Sequence, residues 1–413
     1  MPLSPLIATD SLHPPLTGIG YYTAHLIDQF LRMEEVLPTG FDHQGVEGPE
    51  ELAGRLAALT GGRLGDPSRA VRALPAEPSW RRAARATARR VPPLYRAARW
   101  WRGRRSRQAL ERAGGRLAGR LLHAPNYVPP AEHHGPLVVT VHDLSHIRHP
   151  ETHPAARIEW LNRHLPAALA RAARILAVSE FTKRELLELE LVADPARIAV
   201  VPNGVDALFA PPSPERLAAA LAPWGLEPGG YLLSVATLEP RKNLERLVDA
   251  YAALPPALGG AFPLVLAGAS GWKNRPLLQR IARLRPPHRA VVTGYLEREE
   301  LVALMGGAAC FAYVSLYEGF GLPVLEAMAA GAAVLTADRG ALAEVAGEAA
   351  LGVDPESVEA IRAGLERLLE DAELARRLRA AGCERARRFP WQRTAEETLA
   401  VYREVLAEMG AAA

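Results

Sequence analysis

The sequence predicts an α/β protein of two doubly wound, parallel-sheet domains facing a cleft. Three observations carry that prediction. Short apolar runs alternate with helical patterns, the signature of parallel sheets covered by helices on both faces. The alternation runs twice, on either side of a Pro- and Gly-rich stretch. The chain has 413 residues, enough for two domains.

In the first run, residues 2–10, which end in "PLIATD", read as a strand and "GIGYYTAHLIDQFLRM" (18–33) as a Gly-opened amphipathic helix. "RLLHAP" (120–125) and "PLVVTVHDL" (136–144) read as buried strands. "AARILAVSEFTKRELLEL" (172–189) is strand, turn and helix, with Ser179 placed to cap the helix. "RIAVVPNGVD" (197–206) is a strand that ends in a Pro-Asn-Gly turn. These make a first domain over 1–207. Residues 208–230 read as a linker carrying a short helix.

The second run gives a domain over 231–390. Its strands are "YLLSVAT" (231–237), "FPLVLAG" (262–268), "RAVVTGY" (289–295), "ACFAYVS" (309–315) and "AAVLTAD" (332–338). Helices are expected at 243–254, 322–331 and 356–387. After a Pro break, 391–410 reads as a last helix, expected to cross back to the first domain. In doubly wound sheets ligands bind outside the carboxyl ends of the strands, so the expected site is the cleft.

Composition narrows the function. Hydrophobic residues make up 49% of the chain and charged residues 23%, which excludes a disordered chain. A net charge of +3 does not suggest a dedicated nucleic-acid binder. Two distant cysteines, Cys310 and Cys383, argue against a disulfide framework and for a reducing cytosol. The N-terminus lacks the pattern of a secretory signal, and no apolar run is long enough to span a membrane.

One segment stands apart. Residues 80–108 hold eleven arginines, with Trp80, Tyr95, Trp100 and Trp101 among them and no acid. A basic, aromatic, amphipathic segment fits an anionic membrane surface. It fits equally a solvated helical pair whose arginines reflect genome composition. Nucleic acid is a third reading.

The chemistry concentrates at second-domain strand ends. "TLEPRKNL" (237–244) places Arg241 and Lys242 just before a helix, where cations and free amides can hold a diphosphate. "LAGASGWKN" (266–274) has glycines that would let backbone approach a ligand. In "TGYLEREEL" (293–301), Gly294 and Tyr295 end a strand and Glu297 opens a helix. In "YEGFGLPVLEAMAAG" (317–331), Glu318 lies in a loop and Glu326 in the first turn of a helix begun by Pro323. Seven residues separate the two acids, and the run between is apolar. Buried carboxylates are costly unless paired, so the pattern suits two depths of one pocket. A sugar nucleotide, with hydroxyls at both ends, would meet both.

The run "EGFGLPVLEAMAAG", with "EPRKN" and "VPNGVD", resembles the retaining glycosyltransferases with two Rossmann-like domains, the GT-B fold, and within them glycosyltransferase family 4. "TGIGYYT" is similar to the family's N-terminal glycine loop, and "VHDLSHIRHPETHP" to mannosyltransferase-like members that build bacterial surface polysaccharides. The resemblance covers almost the whole chain. It implies that Glu326 holds the ribose hydroxyls and Glu318 the donor sugar. Amides of Phe320, Gly321 and Leu322 would touch sugar and diphosphate. Arg241 and Lys242 would neutralise the leaving diphosphate, and Gly294 and Tyr295 would border the base. In the first domain, Gly18 and Gly20 would come near the diphosphate or acceptor, and His142 near the reacting carbon. Asn203 and Ser179 are further candidates.

The implied donor is GDP-mannose, with other nucleotide sugars as alternatives. The implied acceptor is lipid-linked or saccharide, and no cofactor or metal is implied. Two departures stand out. Val235, Ala236 and Thr237 stand where many relatives carry an Arg, and "RGALAEV" (339–345) keeps Glu344 but lacks the relatives' serines. From another class, the chain could be a non-catalytic membrane- or nucleic-acid-binding protein acting through 80–108. The presence of Glu318, Glu326, Arg241 and Lys242 together favours an enzyme.

Overall fold

The computed structural model describes residues 2–411 except 15, 66–91, 114–116, 118 and 132. The first part of the basic segment, 80–91, lies outside the described residues. The chain divides into two compact units, Met1–Asn203 with Trp391–Ala413, and Gly204–Pro390.

The first unit holds seven strands: β1 (Leu6–Ala8), β2 (Thr39–Phe41), β3 (Val46–Glu47), β4 (Leu122–Ala124), β5 (Leu137–Val141), β6 (Arg174–Ala177) and β7 (Ile198–Val200). Their order across the sheet is β3-β2-β1-β4-β5-β6-β7. All pairs are parallel except β2–β3. The short β2 and β3 carry no apolar run and went unread. The apolar strands β4, β5 and β6 are buried because helices cover both faces. The last helix, Trp391–Ala411, belongs to this unit. Its Tyr402 hydroxyl meets buried His123 Nδ1 at 2.6 Å, and its Trp391 stacks on His25.

The second unit holds β8 (Leu232–Val235), β9 (Leu264–Ala267), β10 (Ala290–Gly294), β11 (Cys310–Tyr313), β12 (Val334–Ala337) and β13 (Leu351–Val353). The order is β10-β9-β8-β11-β12-β13, parallel throughout. The chain starts at β8 in the middle, winds outward to β10, and returns to β11 on the other side of β8. The reversal leaves a crevice between the loops after β8 and β11, where ligands bind in such sheets.

Three expectations change. Residues 208–230 are not a free linker but part of the second unit. Helix Pro214–Leu221 packs on helix Arg298–Gly307, and Leu221 is fully buried. Gly306 and Gly307 make room: a Cβ on them would lie 2.4 Å from Pro212 Cδ and 2.8 Å from the Tyr231 hydroxyl. The helical stretch 356–387 is two helices, Val358–Glu370 and Ala372–Ala386, separated where Asp371 caps the second. Helix Pro92–Ala113 carries the rest of the basic segment, but its apolar residues do not gather on one face, so it is not amphipathic. Its Arg96 pairs with Glu159, and Arg99 lies over Trp160, while Trp100 and Trp101 stay exposed.

Candidate active site

Two loops meet at the crevice. After β8 the chain runs through Glu239 into a short 3₁₀ turn, Pro240–Lys242, and enters helix Leu244–Ala252 through Asn243. After β11 it runs through Ser315 and Glu318 into helix Leu322–Ala329. Direct bonds knit the loops together. Asn243 Nδ2 donates to Val314 O at 2.9 Å, and Leu316 N and Ser315 Oγ each donate to Arg241 O at 3.0 Å. These bonds fix the two loops in register.

Their side chains converge on Glu318. Lys242 Nζ donates to Glu318 Oε1 at 2.6 Å, and Arg241 Nη1 donates to Glu318 Oε2 at 2.9 Å. Arg241 also donates to Glu239 Oε1 at 3.1 Å and to Tyr317 O at 2.7 Å. Tyr313 closes the group: it accepts from Lys242 Nζ at 2.8 Å and donates to Glu318 Oε1 at 2.9 Å. Two cations thus face two carboxylates in a largely buried cluster. Burial pushes the Glu318 carboxyl up, but Arg241 and then Lys242 outweigh it and hold it at about 2. Burial pushes Lys242 down, Arg241 beside it adds to that, and Glu318 opposes both.

The amides of Lys242 and Asn243 are spent inside the 3₁₀ turn, on Glu239 O and Pro240 O. They are not the free amides expected there. The amides of Phe320, Gly321 and Leu322 find no acceptor among the described residues. They form the helix entrance next to Glu318, where unpaired N–H groups suit an anion. Gly321 is left-handed at φ 104°, and a Cβ there would lie 2.5 Å from Leu342 Cδ2. Phe320 is buried against Phe389.

Glu326 belongs to a second cluster. The helix starts at Leu322 rather than Pro323, which places Glu326 in the second turn, not the first. Its Oε1 lies 3.7 Å from Arg298 Nη1, and Arg298 Nη2 donates to Asp206 Oδ2 at 3.2 Å. Burial lifts the Glu326 carboxyl to about 7, with Arg298 opposing and Asp206 adding. Glu297 caps the helix that Arg298 begins, as its position in the sequence indicated. Gly294 ends β10 at φ 75°, and Tyr295 beside it is half exposed.

The glycines after β9 serve another purpose than the one expected. A Cβ on Gly268 would lie 2.0 Å from Ala236 O, and one on Gly271 would lie 2.6 Å from Leu238 O. What approaches them is the neighbouring loop's backbone.

In the first unit, Gly18 opens helix Gly18–Arg32 with nothing within 4 Å of a Cβ position, whereas a Cβ on Gly20 would lie 3.0 Å from Ser11 O. His142 follows β5. Its Nε2 meets Pro125 O at 2.7 Å and its ring stands edge-on to Tyr22. Burial pushes its pKa down, which favours the neutral ring. Ser179 Oγ caps its helix, accepting from Thr182 N at 3.0 Å. Asn203 is buried, and its Oδ1 has no partner among the described residues. Of the other histidines in "VHDLSHIRHPETHP", His153 Nε2 meets Ser145 Oγ at 2.8 Å, and His149 lies near Glu151.

Asp206, Glu239, Arg298 and Tyr313 escaped assignment from sequence. Glu239 and Asp206 stand inside quoted motifs, and Arg298 follows Glu297 directly. Tyr313 reads as one more apolar strand residue.

Two doubly wound units, one with acids and cations gathered at its switch point, define a two-domain α/β class of fold with a polar site at its strand ends. Sequence comparison carries this further. Residues 222–385 match the family model "Glycosyl transferases group 1", and 61–207 match "Glycosyltransferase Family 4". The chain is 31% identical over 399 residues to the O-antigen chain mannosyltransferase B of Escherichia coli, covering 96% of this chain and 99% of that one. It is 35% identical over 269 residues to the serotype-specific mannosyltransferase WbdA of Escherichia coli, covering 62% of this chain and 32% of that longer protein. Sucrose-phosphate synthase from Thermosynechococcus elongatus shares the fold, with a TM-score of 0.68 at 18% identity over 98% of this chain and all of that one. The chain belongs to glycosyltransferase family 4, and it is a glycosyltransferase of the GT-B fold.

Proposed function

We propose that the chain transfers mannose from GDP-mannose to a lipid-linked or saccharide acceptor in cell-surface polysaccharide synthesis, with retention at the anomeric carbon and without a metal. The observation that carries this reading is Glu318 held between Arg241 and Lys242 at the switch point. The mannosyl activity named for the relatives supports the choice of sugar. Another donor, dTDP-rhamnose, UDP-glucose or UDP-N-acetylglucosamine, would use the same residues.

The chemistry follows from charge. The bond between the anomeric carbon and the phosphate oxygen breaks with its electron pair going to oxygen. Arg241, Lys242 and the amides of Phe320, Gly321 and Leu322 stabilise the charge that develops. One such preorganised contact is worth about 2.7–4 kcal/mol. Glu318 meets the sugar hydroxyls and Glu326 the ribose. The acceptor oxygen attacks the face from which the diphosphate leaves, and its proton passes to a diphosphate oxygen. Gly18 and Gly20 serve the diphosphate or the acceptor, His142 the reacting carbon, and Gly294 and Tyr295 the base. No helix among the described residues is long and apolar enough to cross a membrane. The proposed location is cytoplasmic and peripheral to the membrane; exposed Trp100 and Trp101, beside Arg104 and Arg105, support the contact with a membrane surface.

The test is a thermal-shift screen with GDP-mannose, GDP, UDP-glucose, UDP-N-acetylglucosamine and dTDP-rhamnose. A ligand at a hundred times its dissociation constant stabilises the folded state by about 2.7 kcal/mol. A shift confined to the guanine nucleotides is expected. A shift confined to another base would replace the donor, and none at all would remove the nucleotide site.

A further inference from the structure

Arg298 begins helix Arg298–Gly307, and only 8% of it is exposed. A buried guanidinium needs partners for its charge and donors. Arg298 shares itself unequally. Nη2 donates to Asp206 Oδ2 at 3.2 Å, and the Phe209 ring lies 4.7 Å beneath. Nη1 stops 3.7 Å from Glu326 Oε1, beyond direct hydrogen-bond length. Three chain segments therefore meet on one cation, and two carboxylates compete for it. Asp206 is itself fixed, since its Oδ1 accepts from Leu208 N at 2.9 Å. Among the described residues, Arg298 and Asp206 are the charged groups that act on Glu326.

We propose that Arg298 is a positioning residue for nucleotide recognition: it aims Glu326 at a vicinal hydroxyl pair and opposes its protonation, and Asp206 limits how much of that cation Glu326 receives. The proposal rests on the reading of Glu326 as the ribose ligand. An ionised carboxylate accepts hydrogen bonds from both hydroxyls of a diol, whereas a protonated one has given up part of that capacity. Burial already lifts Glu326 to about 7 despite Arg298. Ribose recognition then weakens as pH falls through neutrality, and the hold of Arg298 sets where. Removing Arg298 raises the midpoint. Neutralising Asp206 removes a like charge and releases Arg298 toward Glu326, which lowers it. A residue that merely supports the fold would not give opposite signs.

The experiment titrates the full chain calorimetrically with GDP, UDP and their 2′,3′-dideoxy counterparts between pH 5.5 and 8.5. The variants are Glu326→Gln, Arg298→Gln and Asp206→Asn, each confirmed folded by circular dichroism. For the wild type, affinity for the ribonucleotide falls on acidification and the dideoxy compound shows no such fall. Arg298→Gln moves the midpoint up by about one pH unit and regains affinity at alkaline pH, while Asp206→Asn moves it down. Should Glu326→Gln keep both the pH dependence and the preference for ribose, or should neither nucleotide bind the wild type, the ribose reading fails and the proposal with it. Should Glu326→Gln flatten the profile while the other two variants leave the midpoint in place, or move it the same way, the ribose reading stands and the role of Arg298 is overturned.

Discussion

Glu318 Oε1 lies 2.6 Å from Lys242 Nζ, and the same carboxylate reaches Arg241 through Oε2 at 2.9 Å. The two cations that a diphosphate would need are already neutralised by an acid of the same site. With Glu239 also on Arg241, the group carries two positive and two negative charges. On the proposed reading, an incoming diphosphate would have to compete with Glu318 for Lys242 and Arg241, and Glu318, once relieved, would be available to the sugar hydroxyls.

Glu318→Gln separates these roles. It removes the competing charge, so GDP binds about tenfold tighter, the effect of a nearby charge contributing about 1.4 kcal/mol. Transfer falls because the sugar loses its acceptor. Breaking a buried pair also costs about 3–5 kcal/mol of stability, which a urea titration reads. GDP affinity unchanged or lowered would show that the diphosphate does not use these cations.

Lys242→Ala should lower turnover by roughly a hundredfold or more, since one such contact is worth about 2.7–4 kcal/mol. Tyr313→Phe tests the support beneath it. The Tyr313 hydroxyl holds both Lys242 and Glu318, so its loss should cost turnover while leaving Km for the donor within a few-fold. Steady-state kinetics separates the two effects. Near-normal turnover for Lys242→Ala would take that residue out of the phosphate site.

How far the sequence reveals this site depends on the distance between partners. The Glu318 loop and the Arg241–Lys242 turn were legible because each lies between a buried apolar strand and a helix, and parallel topology brings such ends together. Which cation meets which oxygen was not legible, because it depends on Asn243 tying its turn to β11 across 71 positions. Arg298 and Asp206 lie 92 positions apart, and each looks like a surface charge in its own segment. The misread linker has a related cause. Pro and Gly at 211–212 and 225–230 signal breaks, but the burial of Leu221 beneath helix Arg298–Gly307 is a tertiary fact. The glycines after β9 gave a true signal of close approach without saying what approaches.

Gly321→Ala tests the loop's backbone. The residue is left-handed, which costs a non-glycine residue about 1–2 kcal/mol, and the added methyl would sit 2.5 Å from Leu342 Cδ2. The variant should lose at least that much stability in denaturant and lose nucleotide binding, because the entrance amides turn with the loop. Gly18→Ala is the control, since its Cβ would enter open space. Equal stability of the two variants would contradict the strained geometry.

The two site glutamates should pull stability in opposite directions with pH. The Glu318 carboxyl is held at about 2, below its ordinary 4.5. Its contribution is complete above pH 4.5 and is lost as pH falls through 2. The Glu326 carboxyl is lifted from 4.5 to about 7. The folded state then binds a proton more tightly than the unfolded chain, so its contribution is complete below pH 4.5 and is lost as pH rises through 7. The loss is on the order of 3 kcal/mol. Buried His123, driven down to about 3, works the other way below neutrality and masks the trend in the wild type alone. The informative quantity is the difference between wild type and Glu326→Gln. Thermal unfolding from pH 4.5 to 8 should show the wild type losing ground to the variant as pH rises, with the change centred between 5 and 7. A difference independent of pH would mean that Glu326 is ionised throughout, fully compensated by Arg298.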